Sequence, residues 1–120
     1  MSEYHEPQEI LSDEAVNYHR VIQSVKEELE AIGWYNQRAD ATEDESVKSI
    51  MMHNRNEEVE HAVMGIEWLR RHDSVWDEML RTFLFSESDI TDHHEDGEDG
   101  HHGSNPSNNS LGIGQNIKEL

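Results

Sequence analysis

From Ser12 onward, apolar side chains recur every three or four positions: Ala15, Tyr18, Ile22, Val25, Leu29, Ile32 and Ala39. That spacing follows the 3.6-residue turn and predicts an amphipathic α-helix. Ser12 is a suitable N-cap, and Asp13 and Glu14 occupy the first turn, where the helix dipole favours acids. Thr42 followed by Glu45 has the spacing of a capping box and predicts a second helix, running to about Arg71 or His72. Ser74 with Asp77 predicts a third, shorter helix through Trp76, Leu80 and Phe83. A connection as short as residues 40–42 leaves the first two helices only one arrangement, an antiparallel hairpin.

The second helix is apolar on two sides. Val47, Ile50, Met51, Trp68 and Leu69 lie on one face, and Met52, Val59, Val63 and Ile66 roughly on the other. One partner helix covers only one such face. The fold class expected is therefore all-α: a two-helix hairpin plus a short third helix, half of a four-helix bundle that a second copy completes. The alternative is a three-helix monomer in which the third helix covers the second face.

Composition marks where folding stops. All eight aromatic residues lie between Tyr4 and Phe85, whereas residues 86–120 hold five glycines, one proline, no aromatics and five aliphatic side chains. Such a segment buries too little apolar surface to offset its ordering entropy. The net charge of -18 argues against nucleic acid and against an anionic membrane, and for attracting cations. No cysteine is present, which excludes disulfides, thiolate metal sites and a cysteine nucleophile. The acidic N-terminus shows no secretory signal, and no run approaches the ~20 apolar residues of a membrane span. A cytoplasmic protein is the expectation.

Polar residues on the apolar faces carry the chemistry. At about 100° per residue, Glu58 and His61 point along the middle of the Val47, Ile50, Trp68 and Leu69 face, and Glu28 sits at the edge of the first helix's stripe. A buried, unpaired carboxylate costs several kcal/mol, so these positions require partners. Glu58 and His61 have the Glu-x-x-His spacing of carboxylate metal sites in helical bundles. A turn centred between 41 and 42 places Glu28 opposite residue 55, about 4.5 Å along the axis from Glu58. A twofold dimer would then gather four carboxylates and two imidazoles, a set that suits iron, manganese or zinc. A buried salt bridge among the three side chains is the competing reading. Glu27 and Glu30 share the polar side of the first helix with Trp34, as a cation entry site or a subunit contact.

Longer runs point further. Glu27-Glu28-Leu29-Glu30, Trp34 to Asp40, and His53 to Ala62, together with Glu67-Trp68 and Arg81-Thr82, resemble the encapsulated ferritins over most of residues 4–90. The resemblance implies half-ferritin hairpins that pair into bundles and assemble as a ring of five dimers, a decamer. It implies a ferroxidase that oxidises Fe(II) with dioxygen and passes Fe(III) on for storage. On matching positions it assigns Glu28, Glu58 and His61 as ligands of two irons per dimer, Tyr35 beside them, and Glu27, Glu30 and Trp34 to an entry region. Calcium or zinc are alternative occupants of either place.

Near the C-terminus, Ser110-Leu111-Gly112-Ile113-Gly114 is similar to the peptide that directs cargo into encapsulin shells. Two aliphatic anchors separated by glycine suit an apolar groove. The expected organisation is a helical domain at 1–90, an acidic, His-rich linker at 91–109 and a targeting peptide at 110–120, inside an encapsulin nanocompartment. The linker fails the calcium-loop pattern, because Gly103 stands where the bidentate Glu belongs. The rival class is a non-enzymatic metal-binding or scaffold protein with a structural metal at the dimer interface.

Overall fold

The computed structural model describes residues 4–92. Three α-helices account for most of them: α1 (Asp13–Ala41), α2 (Glu45–His72) and α3 (Ser74–Phe83). Short 3-10 turns at Gln8–Ile10 and Ile90–Asp92 flank them, and no strand occurs among the described residues. The all-helical expectation is met. The sequence 93–120, which contains most of the expected linker and the whole Ser110–Gly114 peptide, lies outside the described residues.

Local chemistry sets the helix ends. The Ser12 side chain accepts a hydrogen bond from the Ala15 amide at 3.0 Å, which begins α1 as expected. The start of α2 differs from the capping box read at Thr42. Asp44 caps it instead, its Oδ1 accepting from the Ser46 and Val47 amides at 2.9 and 3.0 Å. The Ser46 hydroxyl adds a third bond to the same oxygen, and this bond is the main reason the Asp44 pKa is lowered. Thr42 ends α1, and its Oγ1 accepts from the Asp44 amide. An aspartate whose oxygen reaches two orphan amides outcompetes a threonine two residues earlier. The third helix shows a displacement of one residue in the other direction: Asp73, rather than Ser74, caps α3 by accepting from the Val75 amide at 2.9 Å.

The chain divides into two compact units, one ending at Leu69 and one beginning at Arg70. In the first, α1 and the larger part of α2 form the hairpin. Its buried apolar residues are few: Val16, Val25, Ala39, Ala62 and Leu69. Ala62, Gly65 and Leu69 follow one another at three- and four-residue steps, so the best-covered line of α2 lies along the Leu69 side of its first apolar face. Ile50 and Met64 on one flank, and Val59 and Val63 on the other, remain exposed. On α1, Leu29 is also exposed although it belongs to the apolar stripe. In the second unit, Arg70 Nη1 donates to Asp77 Oδ1 at 2.6 Å and Arg81 Nε donates to the same carboxylate at 3.0 Å. These two guanidinium groups lower the Asp77 pKa and brace the α2–α3 corner.

Gly33 lies in the interior of α1, and a Cβ added there meets nothing within 4 Å. Gly33→Ala is therefore expected to stabilise the fold by about 0.5–1 kcal/mol, the ordinary helix-interior penalty of glycine. Urea-unfolding midpoints of the two proteins check this.

Candidate metal centre

The connection between α1 and α2 spans Thr42 to Asp44, so its centre falls at residue 43 rather than between 41 and 42. That shift brings Glu28 level with Glu58 instead of three residues from it. Glu28 comes from the middle of α1, and Glu58 and His61 come from successive turns of α2. Among the described residues, these three form the one group of acidic and imidazole side chains able to hold a metal ion. One ligand atom from each lies within 4.8 Å of the others.

His61 is the hub. Its Nδ1 lies 3.5 Å from Glu58 Oε1 and 3.6 Å from Glu28 Oε1. Donor atoms bound at ~2.1 Å to one ion sit about 3.0–3.4 Å apart in octahedral or tetrahedral geometry. Small side-chain adjustments close that gap, so the donors fit a metal. The two carboxylates are about three-quarters covered, whereas 45% of the His61 side chain stays exposed, which leaves the cluster open on one side.

Contacts within the cluster shift the protonation of Glu28 and His61. A hydrogen bond shared with Glu58 is the largest cause of a raised Glu28 pKa, reinforced by desolvation and by the Glu58 charge. His61 pulls Glu28 the other way without cancelling the rise. For His61, desolvation is the largest single influence and lowers the pKa. Hydrogen bonds and charge from Glu58 and Glu28 together outweigh it, and the net shift is upward. Two carboxylates in contact cannot both ionise cheaply unless positive charge lies between them.

Glu28 and His61 sit above their ordinary values of 4.5 and 6.5, so these two hold more protons in the metal-free folded chain than in the unfolded one. The His61 contribution is present below 6.5 and lost as pH rises through its raised value; the Glu28 penalty appears as pH rises above 4.5. Without metal, the thermal midpoint should fall as pH rises from about 5 to 8. With Co(II) present the trend should reverse, because binding requires the deprotonated donors. Thermal scans across that range, with and without Co(II), measure both slopes.

The other residues singled out from sequence remain apart from this cluster. Glu27 and Glu30 are exposed on α1, with Gln23 Nε2 donating to Glu27 Oε2 at 3.4 Å. Trp34 is exposed. Tyr35 is half-buried two turns along α1 from Glu28, and the Arg38 guanidinium lies 5.3 Å from its ring centroid. Two features escaped the sequence reading: the hydrogen bond from Arg55 to Asn36, and the close approach of Gly65 to Val25. Both join positions far apart in the chain, and only the correct hairpin register could have pointed to them.

A family model described as EncFtn-like matches residues 3–87. The chain belongs to the EncFtn-like family. Two relatives agree with the assignment. The EncFtn-like chain is 59% identical over 87 residues to an "Encapsulated ferritin-like protein" of Rhodospirillum rubrum, matching 72% of this chain and 62% of that protein. It therefore spans less than two thirds of that relative's length. A "Ferritin-like protein" of Thermotoga maritima is 49% identical over 94 residues, covering 78% of this chain and 82% of its own length. The crystal structure of protein ne0167 from Nitrosomonas europaea shares 48% sequence identity and a TM-score of 0.72, over 74% of this chain and 98% of that one. The hairpin fold of the EncFtn-like family is thus the fold of this chain.

Proposed function

We propose that this EncFtn-like protein is a ferroxidase: it binds Fe(II) at an inter-subunit site and oxidises it to Fe(III) with dioxygen, as cargo of an encapsulin iron-storage compartment. The observation that carries the reading is the convergence of Glu28, Glu58 and His61. Hard carboxylate oxygens with one imidazole suit Fe(II), and the two carboxylates offset its charge. A second copy supplies the same three groups, giving the four carboxylates and two imidazoles of a two-iron bundle site. The exposed flanks of α2 and the exposed Leu29 support such pairing, since a hairpin leaving this much apolar surface open is an incomplete bundle.

Within that reading, Glu28, Glu58 and His61 hold two Fe(II) ions as substrate, and each ion yields one electron to dioxygen. Metal binding displaces whatever protons the donors hold, so the site loads by exchanging proton for metal. Glu27, Glu30 and Trp34, on the outer side of α1, form an entry region. The acidic surface, -18 over the whole chain, concentrates Fe(II) around it. Tyr35, two turns along α1 from Glu28, is the aromatic residue of this reading that flanks the centre rather than binding the ions. The oligomer is a dimer built into a ring-shaped decamer.

The names of both relatives support iron handling, and one supports association with a shell. Residues 110–114 are the proposed shell-binding peptide, joined by a charged linker at 91–109 to the helical domain. No helix among the described residues is long and apolar enough to cross a membrane. Anaerobic loading with Fe(II) followed by air tests the enzymatic reading. The expected result is oxidation well above the protein-free rate; oxidation at the protein-free rate with metal retained would favour a structural metal site instead.

A further inference from the structure

Two contacts between α1 and α2 bracket the Glu28–Glu58–His61 cluster. On the side of the connection, Arg55 Nη1 donates to Asn36 Oδ1 at 3.0 Å. The same guanidinium donates from Nε and Nη2 to Asn56 Oδ1 at 3.2 and 2.9 Å, which splints it in the orientation that reaches α1. On the opposite side, the helices approach closely at Gly65, where a Cβ would stand 2.5 Å from Cγ2 of Val25. Arg55 precedes Glu58 by three residues and Gly65 follows His61 by four, so each contact lies about one turn from a donor.

These contacts control different quantities. The Asn36–Arg55 bond opposes sliding of α1 along α2, and a slide of one residue displaces Glu28 by about 1.5 Å. The Val25–Gly65 approach sets the distance between the helices. A functional constellation needs its groups held to within about 0.5 Å, so both quantities matter.

We propose that Asn36, Arg55 and Gly65 are positioning residues that hold the Glu28–Glu58–His61 half-site in its metal-binding shape before metal arrives. The proposal rests on the reading of the cluster as a metal centre. Its signature is metal affinity in a protein that remains folded. Residues that only orient a ligand commonly alter affinity by about 10–100-fold.

Co(II) binding, followed by visible absorption and by the metal-induced rise in thermal midpoint, provides the test on the full chain. Asn36→Leu keeps the side-chain size and loses the acceptor, and Gly65→Ala inserts the clashing methyl. Each should weaken Co(II) binding about tenfold with helix content unchanged. Asn36→Asp retains the acceptor, and the double variant Val25→Ala, Gly65→Ala returns the space; both should recover to within about threefold of the parent. Parent-like affinity in folded Asn36→Leu and Gly65→Ala overturns the proposal. Should those variants lose helix content, Arg55→Lys carries the test, since it keeps the charge and gives up the fork; unchanged affinity there overturns it as well. Glu28→Ala provides the reference: if the parent binds Co(II) no better than this variant, the metal-centre reading itself fails.

Discussion

Replacing Glu28, Glu58 or His61 with alanine is expected to slow dioxygen-dependent Fe(II) oxidation by more than about 100-fold, beyond the 10–100-fold typical of residues that merely orient a ligand. Each chain has three donors converging at one point, so a single substitution would remove two of six donors from the proposed paired site. The expected effect on stability has the opposite sign. Contact with Glu58 is the main reason the Glu28 carboxyl sits above its ordinary value of 4.5, so ionising it costs metal-free stability as pH rises above that value. Glu28→Ala should therefore leave the metal-free thermal midpoint at pH 8 unchanged or higher, while oxidation is lost. Loss of activity with gain of stability is the mark of a group kept for chemistry. Stopped-flow oxidation and thermal scans on the same preparations read both. Parent-like oxidation in all three variants would remove the site assignment.

Deleting residues 110–120 is expected to leave oxidation intact and abolish loading into an encapsulin shell. The chemistry of the centre lies wholly between residues 28 and 61, far along the chain from the proposed peptide. That peptide has two aliphatic anchors, Leu111 and Ile113, separated by Gly112, and its predicted role is docking as an extended strand in an apolar groove. Leu111→Asp with Ile113→Asp should reproduce the deletion, since two charges cannot enter such a groove without large desolvation cost. Co-expression with a shell protein and analysis of purified shells would measure this. Continued co-purification of the truncated chain at parent levels would refute the targeting role.

The hairpin was legible because helix formation reports itself locally. The three-four spacing from Ala15 to Ala39, and Ser12 before two acids, depend on neighbours within a turn or two. The same locality explains the errors at the caps. Thr42 and Ser74 are reasonable caps by type, yet Asp44 and Asp73 hold the amides, and sequence pattern alone does not rank two candidates separated by one or two residues. That small error propagated to the centre. With the connection centred at residue 43, Glu28 comes level with Glu58, and what had been a three-residue offset closes.

The two apolar flanks of α2 were visible as a pattern, but which line faces α1 was not. Small side chains decide it: Ala62 and Gly65 permit the close approach that Ile50 or Val63 would block. By itself, then, the sequence determined the helices, their antiparallel order and the presence of acids and a histidine along an apolar face; the burial expected of them is only partial, with the carboxylates part-covered and His61 exposed. The sequence also brought Glu28, Glu58 and His61 to one place; tertiary structure alone decided the register that sets Glu28 level with Glu58, and that Arg55 with Asn36 and Gly65 with Val25 flank them. The physical reason is range. Periodicity and capping are properties of a few adjacent residues, whereas convergence of donors depends on axial register and interhelical distance, which two packed helices settle together.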